Sequence, residues 1–392
     1  MFSRRTAWPN DPSPFASVVE HARARDAIVF DLTTSNPTQV GLRYEPGFYR
    51  ELFDERNAEY VPEPLGLTSA REAITLYYRE RDVVVRPEHV LVTASTSEAY
   101  LLLLDVLCDS GDAVLVPRPG YPLFDHIAAL AGVELLHYPL QFVSGAWQLD
   151  LDAIARTVQR ERVRAIVVVA PNNPTGSCLD HRTLNALMRT CETRELALVV
   201  DQVFADYPLR DDPERVTHVG GALACPTFVL SGLSKIAALP QLKLSWIVAH
   251  GPNANIQQAM QRLEVVADTF LSTSTLAQLA LPYVLERAPD MQARIRARLH
   301  TNMQTLHELT RASALQVPDV DAGWTVLLRL PAVRELDDAA WAQLLLLQDG
   351  VLVQPGYLYD LSGTFVVLSL LTEPHRFVAG VTAIRQRVTS LL

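Results

Sequence analysis

A lysine attacks carbonyl compounds only when its amine is neutral, which needs desolvation or a neighbouring cation. The stretch Ser231-Gly232-Leu233-Ser234-Lys235 sets one lysine after small residues, with a second cation, Lys243, eight residues on. The plain alternative is a solvent-facing lysine, the usual state of that residue. Three further motifs carry chemistry. Ser95-Thr96-Ser97-Glu98-Ala99 follows an apolar run and opens a helical one. Free backbone N–H groups and the positive end of a helix dipole would make it a phosphate cradle, although by itself it also reads as an N-cap. Pro119-Gly120-Tyr121-Pro122 offers an aromatic ring that could stack on a flat cofactor or merely anchor a loop. Pro171-Asn172-Asn173-Pro174-Thr175-Gly176 is followed by Asp201 at the end of another apolar run. An Asn amide can donate to a phenolate-like oxygen, and a strand-end carboxylate can hold a pyridinium N–H. Asn-Pro-Thr-Gly could equally be a turn.

Together these groups meet every handle of pyridoxal 5'-phosphate: phosphate, ring face, phenolic oxygen, ring nitrogen and aldehyde. In that order and spacing the chain resembles the class I/II aminotransferases, fold-type I enzymes, from about Asp31 to Arg387. The resemblance implies that Lys235 holds the cofactor as a Schiff base and shuttles the proton. It implies that Asp201 pairs with the ring nitrogen, that Asn173 meets the phenolic oxygen, and that Tyr121 stacks on the ring. Thr96, Ser97, Ser234 and Lys243 would surround the phosphate, and Tyr60 would reach the phosphate of a second subunit, making a homodimer. Pro355-Gly356-Tyr357 and Gly323-Trp324 match landmarks of the family's smaller lobe. The expected activity is amino transfer between an amine or amino acid and a carbonyl acceptor. A lyase, decarboxylase or cyclase on the same site is the alternative. A cofactor-sensing regulator would need a basic DNA-binding module, for which only about 30 residues precede the resemblance.

Four positions depart from the family pattern. Its Asp-x-x-Tyr reads Asp201-Gln202-Val203-Phe204, which removes a hydroxyl from the phenolic oxygen and should raise the pKa of the Schiff base. Lys243 stands for an arginine, keeping the charge and losing the bidentate fork. In Phe365-Val366-Val367-Leu368-Ser369, Val367 falls where the family carries the arginine that grips the substrate α-carboxylate. A carboxylate facing valine in a closed site lacks its partner at a cost of several kcal/mol. Either Arg43, Arg329 or Arg376 substitutes, or the substrate is not an ordinary α-amino acid. Ser35 replaces a common glycine in the N-terminal arm, a further sign of an altered pocket.

The elements that must position these residues alternate between helix and strand. Thr68 could cap a helix from Ser69, and another helix runs from Ser97 to Cys108. Val90–Thr93, Ala113–Val116, Ala165–Val169, Leu196–Val200, Thr227–Leu230 and Trp246–Ala249 are apolar throughout rather than alternating. Strands covered on both faces require that pattern, which predicts an α/β fold with a mainly parallel, seven-stranded sheet between helices. A long helical stretch from Thr275 to Ala312 leads to Trp324–Leu328 and Phe365–Leu370, read as strands of a smaller α+β lobe. The expected division is an arm and part of the small domain over 1–45, a large cofactor-binding domain over 46–285, and a small domain over 286–392.

The 392 residues carry 34 basic and 44 acidic side chains, so the net charge is 34 − 44 = −10. That balance argues against nucleic-acid and anionic-membrane partners. No apolar run follows Arg4 and Arg5, so no signal peptide is expected. No stretch approaches the roughly 18 apolar residues of a membrane span. Cys108, Cys178, Cys191 and Cys225 lie far apart, as reduced, mostly buried thiols of a cytoplasmic protein rather than a metal site.

Overall fold

The computed structural model describes residues 2–8, 13–160, 162–333 and 336–392. Of the expected arm, residue 1 and residues 9–12 lie outside the described residues. In chain order the strands are β1 (Phe30–Asp31), β2 (Val90–Thr93), β3 (Ala113–Arg118), β4 (Glu134–Val143), β5 (Ala146–Leu149), β6 (Val163–Val169) and β7 (Ala197–Asp201). They continue with β8 (Thr227–Gly232), β9 (Ser245–His250), β10 (Thr325–Arg329), β11 (Val351–Leu352), β12 (Gln354–Pro355) and β13 (Phe365–Ser369).

The large sheet has the order β2-β9-β8-β7-β6-β3-β4-β5. Pairing is parallel from β8 through β7, β6 and β3 to β4. Strand β9 runs antiparallel to both β8 and β2, so β2 points the same way as β8. The unbroken apolar runs follow from two-sided burial. Val90, Val92, Leu115, Ile166, Val168, Leu198 and Val200 enter one core, while Leu91, Val114, Val116, Ala165, Val167, Ala197 and Val199 enter another on the opposite face. Strict period-2 alternation between two apolar environments leaves no polar position.

The sheet has eight strands where seven were expected, and β4 and β5 are the two that none of the six apolar runs marked. β5 pairs back on β4 through Ser144 and Gly145, both at positive φ, as a tight hairpin turn requires. Gln141 and Gln148 interrupt the apolar residues of this pair, and its outer end is largely exposed. It therefore lacks the two-sided pattern that marks the other strands. Thr68 does not cap its helix. The helix spans Thr68–Arg79 with Leu67 at the cap position, and the Thr68 hydroxyl turns back to Glu63 at 3.3 Å.

The smaller sheet, β10-β13-β12, is antiparallel, and β1 pairs parallel with β11. One helix, Thr275–Thr310, is common to both lobes. Ala277, Leu281, Val284 and Ala288 pack in the large core, and Met291, Ile295, Leu299 and Leu306 in the core beneath the small sheet. The expected boundary at 285/286 falls inside this continuous helix.

Candidate active site

Ligands of open α/β sheets bind beyond the carboxyl ends of strands. Here β2, β3, β6, β7 and β8 end on one edge of the sheet, and a cavity of about 420 Å³ lies beyond it. Its lining includes Thr96 and Ser97 after β2, Tyr121 after β3, Asn173 after β6, Asp201 at the end of β7, and Lys235 after β8. Sequence positions spread over 140 residues thus converge on one space.

Each residue is placed by a local device. Ser95 is the N-cap of helix Thr96–Leu107, its Oγ accepting from the Glu98 N–H at 3.1 Å, while the Glu98 carboxylate accepts from Ala94 N–H at 2.5 Å. This cap leaves Thr96 and Ser97 as the first helical residues, where backbone N–H groups have no intrahelical acceptor. The cap and the cradle are therefore compatible readings of one motif. Asn173 sits in a loop closed at Gly176, whose φ of +69° suits glycine; a Cβ there would come within 2.4 Å of Val320. The N–H groups of Asp321 and Ala322 donate to the Gly176 carbonyl, tying this loop to the segment before β10.

Asp201 is buried, and desolvation pushes its carboxyl pKa up to about 6. Its oxygens accept from the Tyr100 hydroxyl at 3.0 Å and the Val203 N–H at 3.1 Å. Burial drives the Lys235 ammonium down to about 8, against a weaker opposing pull from Asp201. The Lys235 Nζ stands 4.9 Å from the Trp324 ring centroid and 5.3 Å from that of Phe204. Lys235 is not a solvent-facing lysine; it and Lys243 are the only lysines in the chain. Gly232 before it admits no side chain, since a Cβ would meet the Ser245 Oγ at 2.2 Å.

Three expected cofactor-binding residues do not line this cavity. Ser234 is half-buried next to Lys235, Lys243 is exposed in the turn after it, and Tyr60 is exposed on the surface. Val367 is buried within β13, paired with Gln354 on one side and Leu327 on the other. None of its three proposed substitutes lines the cavity. Arg43 donates to the Thr38 carbonyl at 2.7 Å, Arg329 lies over the Phe365 ring, and Arg376 lies beside Glu373. Among the described residues that line the cavity, Lys235 is the only lysine or arginine.

Several lining residues escaped the sequence reading: Thr33, Tyr100, Phe124, Gln354 and Tyr359. Tyr100 was within reach, because it follows Thr96 by four residues and so shares its helix face. Gln354 and Tyr359 gave no such signal, since they arrive from the small lobe. The residues suit pyridoxal phosphate on a structural ground. The Asn173 Oδ1 is buried without a hydrogen-bond partner among the described residues, an orphaned polar atom in the cavity wall that a bound polar group would satisfy. Helix-start amides, a strand-end carboxylate and an enclosed lysine complete the set.

Among the described residues no helix is long and apolar enough to cross a membrane, and no group of three or more His, Cys, Asp or Glu side chains could hold a metal ion. All four cysteines are free, Cys191 and Cys225 buried and the other two half-buried.

Comparison with known proteins bears on this site. The model of the family described as aminotransferase class I and II matches residues 47–371. The glutamate-pyruvate aminotransferase AlaA of Escherichia coli is 32% identical over 223 residues, 56% of this chain and 54% of that protein. The chain thus spans about half the length of that relative. The tyrosine aminotransferase of Mus musculus is 26% identical over 307 residues, 73% of this chain and 66% of the relative. The solved structure of an alanine aminotransferase from Pyrococcus furiosus superposes with a TM-score of 0.87 over 100% of both chains at 21% identity, which shows a shared fold.

Proposed function

Given that this chain belongs to the class I and II aminotransferase family, we propose that it is a pyridoxal-phosphate-dependent aminotransferase whose amino donor lacks the usual arginine-bound α-carboxylate. The observation that carries the activity is the convergence of Thr96, Ser97, Tyr121, Asn173, Asp201 and Lys235 on one cavity. The observation that carries the substrate class is the absence of any arginine among the described residues lining it. The relatives are named for amino acids. Val367 at the position where the family pattern carries an arginine supports a different substrate for this chain.

When bound, pyridoxal phosphate supplies an electron sink for the bond broken at the amino-bearing carbon. The chain's own residues do the rest. The N–H groups of Thr96 and Ser97 would hold the phosphate; Ser234 and Lys243, expected around it, lie outside the cavity lining, as does Tyr60, which would reach it only from a second subunit. Tyr121 would lie against the ring, and the Asn173 amide would donate to the phenolic oxygen. Asp201, held by the Tyr100 hydroxyl, would pair with the ring nitrogen. Lys235 Nζ would hold the cofactor between turnovers and would move the proton at the substrate carbon. Its lowered pKa supports both tasks, because a neutral amine is needed for each. The exposed Tyr60, with Tyr49, Phe53 and Val61 exposed in the same stretch, supports a homodimer in which Tyr60 reaches the neighbouring site.

The absorbance spectrum of the purified protein tests this reading. With pyridoxal phosphate a visible lysine-bound band is expected, absent in Lys235→Ala. Carboxylate-free amines should bleach it to the amino form of the cofactor, while aspartate and glutamate should do so poorly. Rapid conversion by either acid would sink the substrate reading. Product without the amino form would place a lyase ahead of a transferase, and no band at all would end the cofactor assignment.

A further inference from the structure

The side of the cavity contributed by the small lobe is built from Thr33, Ser35, Trp324, Thr325, Gln354 and Tyr359. Gln354 lies in β12 directly across from Val367 of β13, so it is the cavity residue nearest in register to the position where a carboxylate-binding arginine was expected. Its side chain is not free to turn. The Tyr359 hydroxyl donates to Gln354 Oε1 at 2.6 Å. Tyr359 is itself buried, and desolvation raises its phenol pKa to about 12, so it stays a neutral donor across the working range. With Oε1 engaged, the amide plane is set, and Nε2 has no hydrogen-bond partner among the described residues. Gln354 is half-buried and lines the cavity, so this Nε2 presents N–H donors to whatever enters.

We propose that Gln354, clamped by Tyr359, is the specificity-determining residue of the substrate pocket, and that it selects an amino compound bearing an uncharged carbonyl acceptor, such as a carboxamide or ester, in place of a carboxylate. The inference rests on the proposed aminotransferase reading and sharpens it. A primary amide donates to a neutral carbonyl oxygen without the desolvation cost of bringing in an unpaired anion. A carboxylate at the same place would meet Gln354, Thr325 and Ser35, while Val367 stays buried in β13 behind them, with no guanidinium to balance its charge. Neutral donors compensate a buried charge incompletely, and a charge left short of its partner binds poorly. Discrimination of this kind comes from the group left unpaired by the wrong ligand. Leu123, Phe124 and Ile127 of the opposite wall add an apolar surface for the remainder of the molecule.

The test compares an amino acid with its own carboxamide, valine against valinamide, by stopped-flow conversion of the cofactor band in the holoenzyme. The wild type is expected to favour the amide by about tenfold or more in kcat/KM, since a single hydrogen bond is worth up to about tenfold and the unpaired charge adds to it. Gln354→Leu should bring that ratio towards one while the lysine-bound band persists. Tyr359→Phe, which frees the glutamine but keeps the ring, should lower the ratio to an intermediate value. Calorimetric titration with isobutyramide and with isobutyrate reads the same preference without turnover or amino group. Binding of the amide that Gln354→Leu weakens supports the proposal. Preference for the acid, or an amide preference that Gln354→Leu leaves unmoved, overturns it. Loss of the cofactor band would overturn the aminotransferase reading instead, and the calorimetric pair would then decide the role of Gln354 alone.

Discussion

At the scale of single residues, the site works through two pKa values displaced towards each other. Lys235 falls to about 8 and Asp201 rises to about 6, both from desolvation. At pH 7.5 a lysine of pKa 8 is neutral in about a quarter of molecules, against about one in a thousand at an ordinary value. Capture of pyridoxal phosphate by the apoprotein should therefore quicken as pH rises to about 8 and level off above it. It should slacken below about 6, where Asp201 takes up a proton and can no longer hold the ring nitrogen as an anion. Stopped-flow absorbance across pH 5 to about 10 reads both limbs. A rise continuing to the top of that range would place Lys235 at its ordinary value. Asp201→Asn keeps the shape and loses the charge-assisted bond, so the half-reaction should slow by about 10- to 100-fold with the cofactor still bound. Phe204→Tyr adds back a hydroxyl beside the phenolic oxygen. The lysine-bound chromophore should then titrate at lower pH, which spectrophotometric titration measures.

At the scale of elements, rigidity behind the site comes from a buried polar cluster. Arg81, just beyond helix Thr68–Arg79, donates to Asp206 Oδ1 through Nε at 2.9 Å and Nη2 at 2.8 Å. The Tyr77 hydroxyl donates to the other carboxylate oxygen at 2.7 Å. Desolvation holds His218, beside them, down to about 4, so it stays neutral there. The cluster anchors the loop following β7 and hence the approach to Phe204 and Tyr207, whose hydroxyl donates to the Lys235 carbonyl at 2.5 Å. Arg81→Ala would leave Asp206 buried and unpaired, a loss of about 3–5 kcal/mol. Chemical denaturation should show that loss as an earlier midpoint. Lys243→Arg, by contrast, changes an exposed turn residue and should leave the midpoint within about 0.5 kcal/mol.

At the scale of the whole molecule, the proposed homodimer carries a prediction of its own. Light scattering should return twice the chain mass of 43.5 kDa. Tyr60→Phe removes only a hydroxyl from an exposed side chain. It should preserve the dimer while loosening cofactor retention by a few-fold, seen as faster loss of the band on dilution. Loss of retention in a strictly monomeric protein would contradict a contribution across subunits.

Much of this molecule could be read along the chain because its signals are local. A strand buried on both faces must be apolar at every position, as Ala165–Val169 and Leu196–Val200 are. Residues at the ends of parallel strands come to one edge whatever the intervening helices do, so the sequence alone groups Asn173, Asp201 and Lys235. The β4–β5 hairpin was less legible, since a half-exposed edge pair reads weakly as either strand or loop. The wall proposed for the substrate was legible only at Val367 and Ser35, which departed from the family pattern. Gln354, Tyr359, Thr325 and Val367 meet through cross-strand pairing in the small sheet and the docking of that lobe against the large one. Such contacts depend on register and on how two cores pack around one shared helix, and no spacing along the chain encodes them. The reaction's machinery is written in strand ends; what it acts on is decided where the two lobes meet.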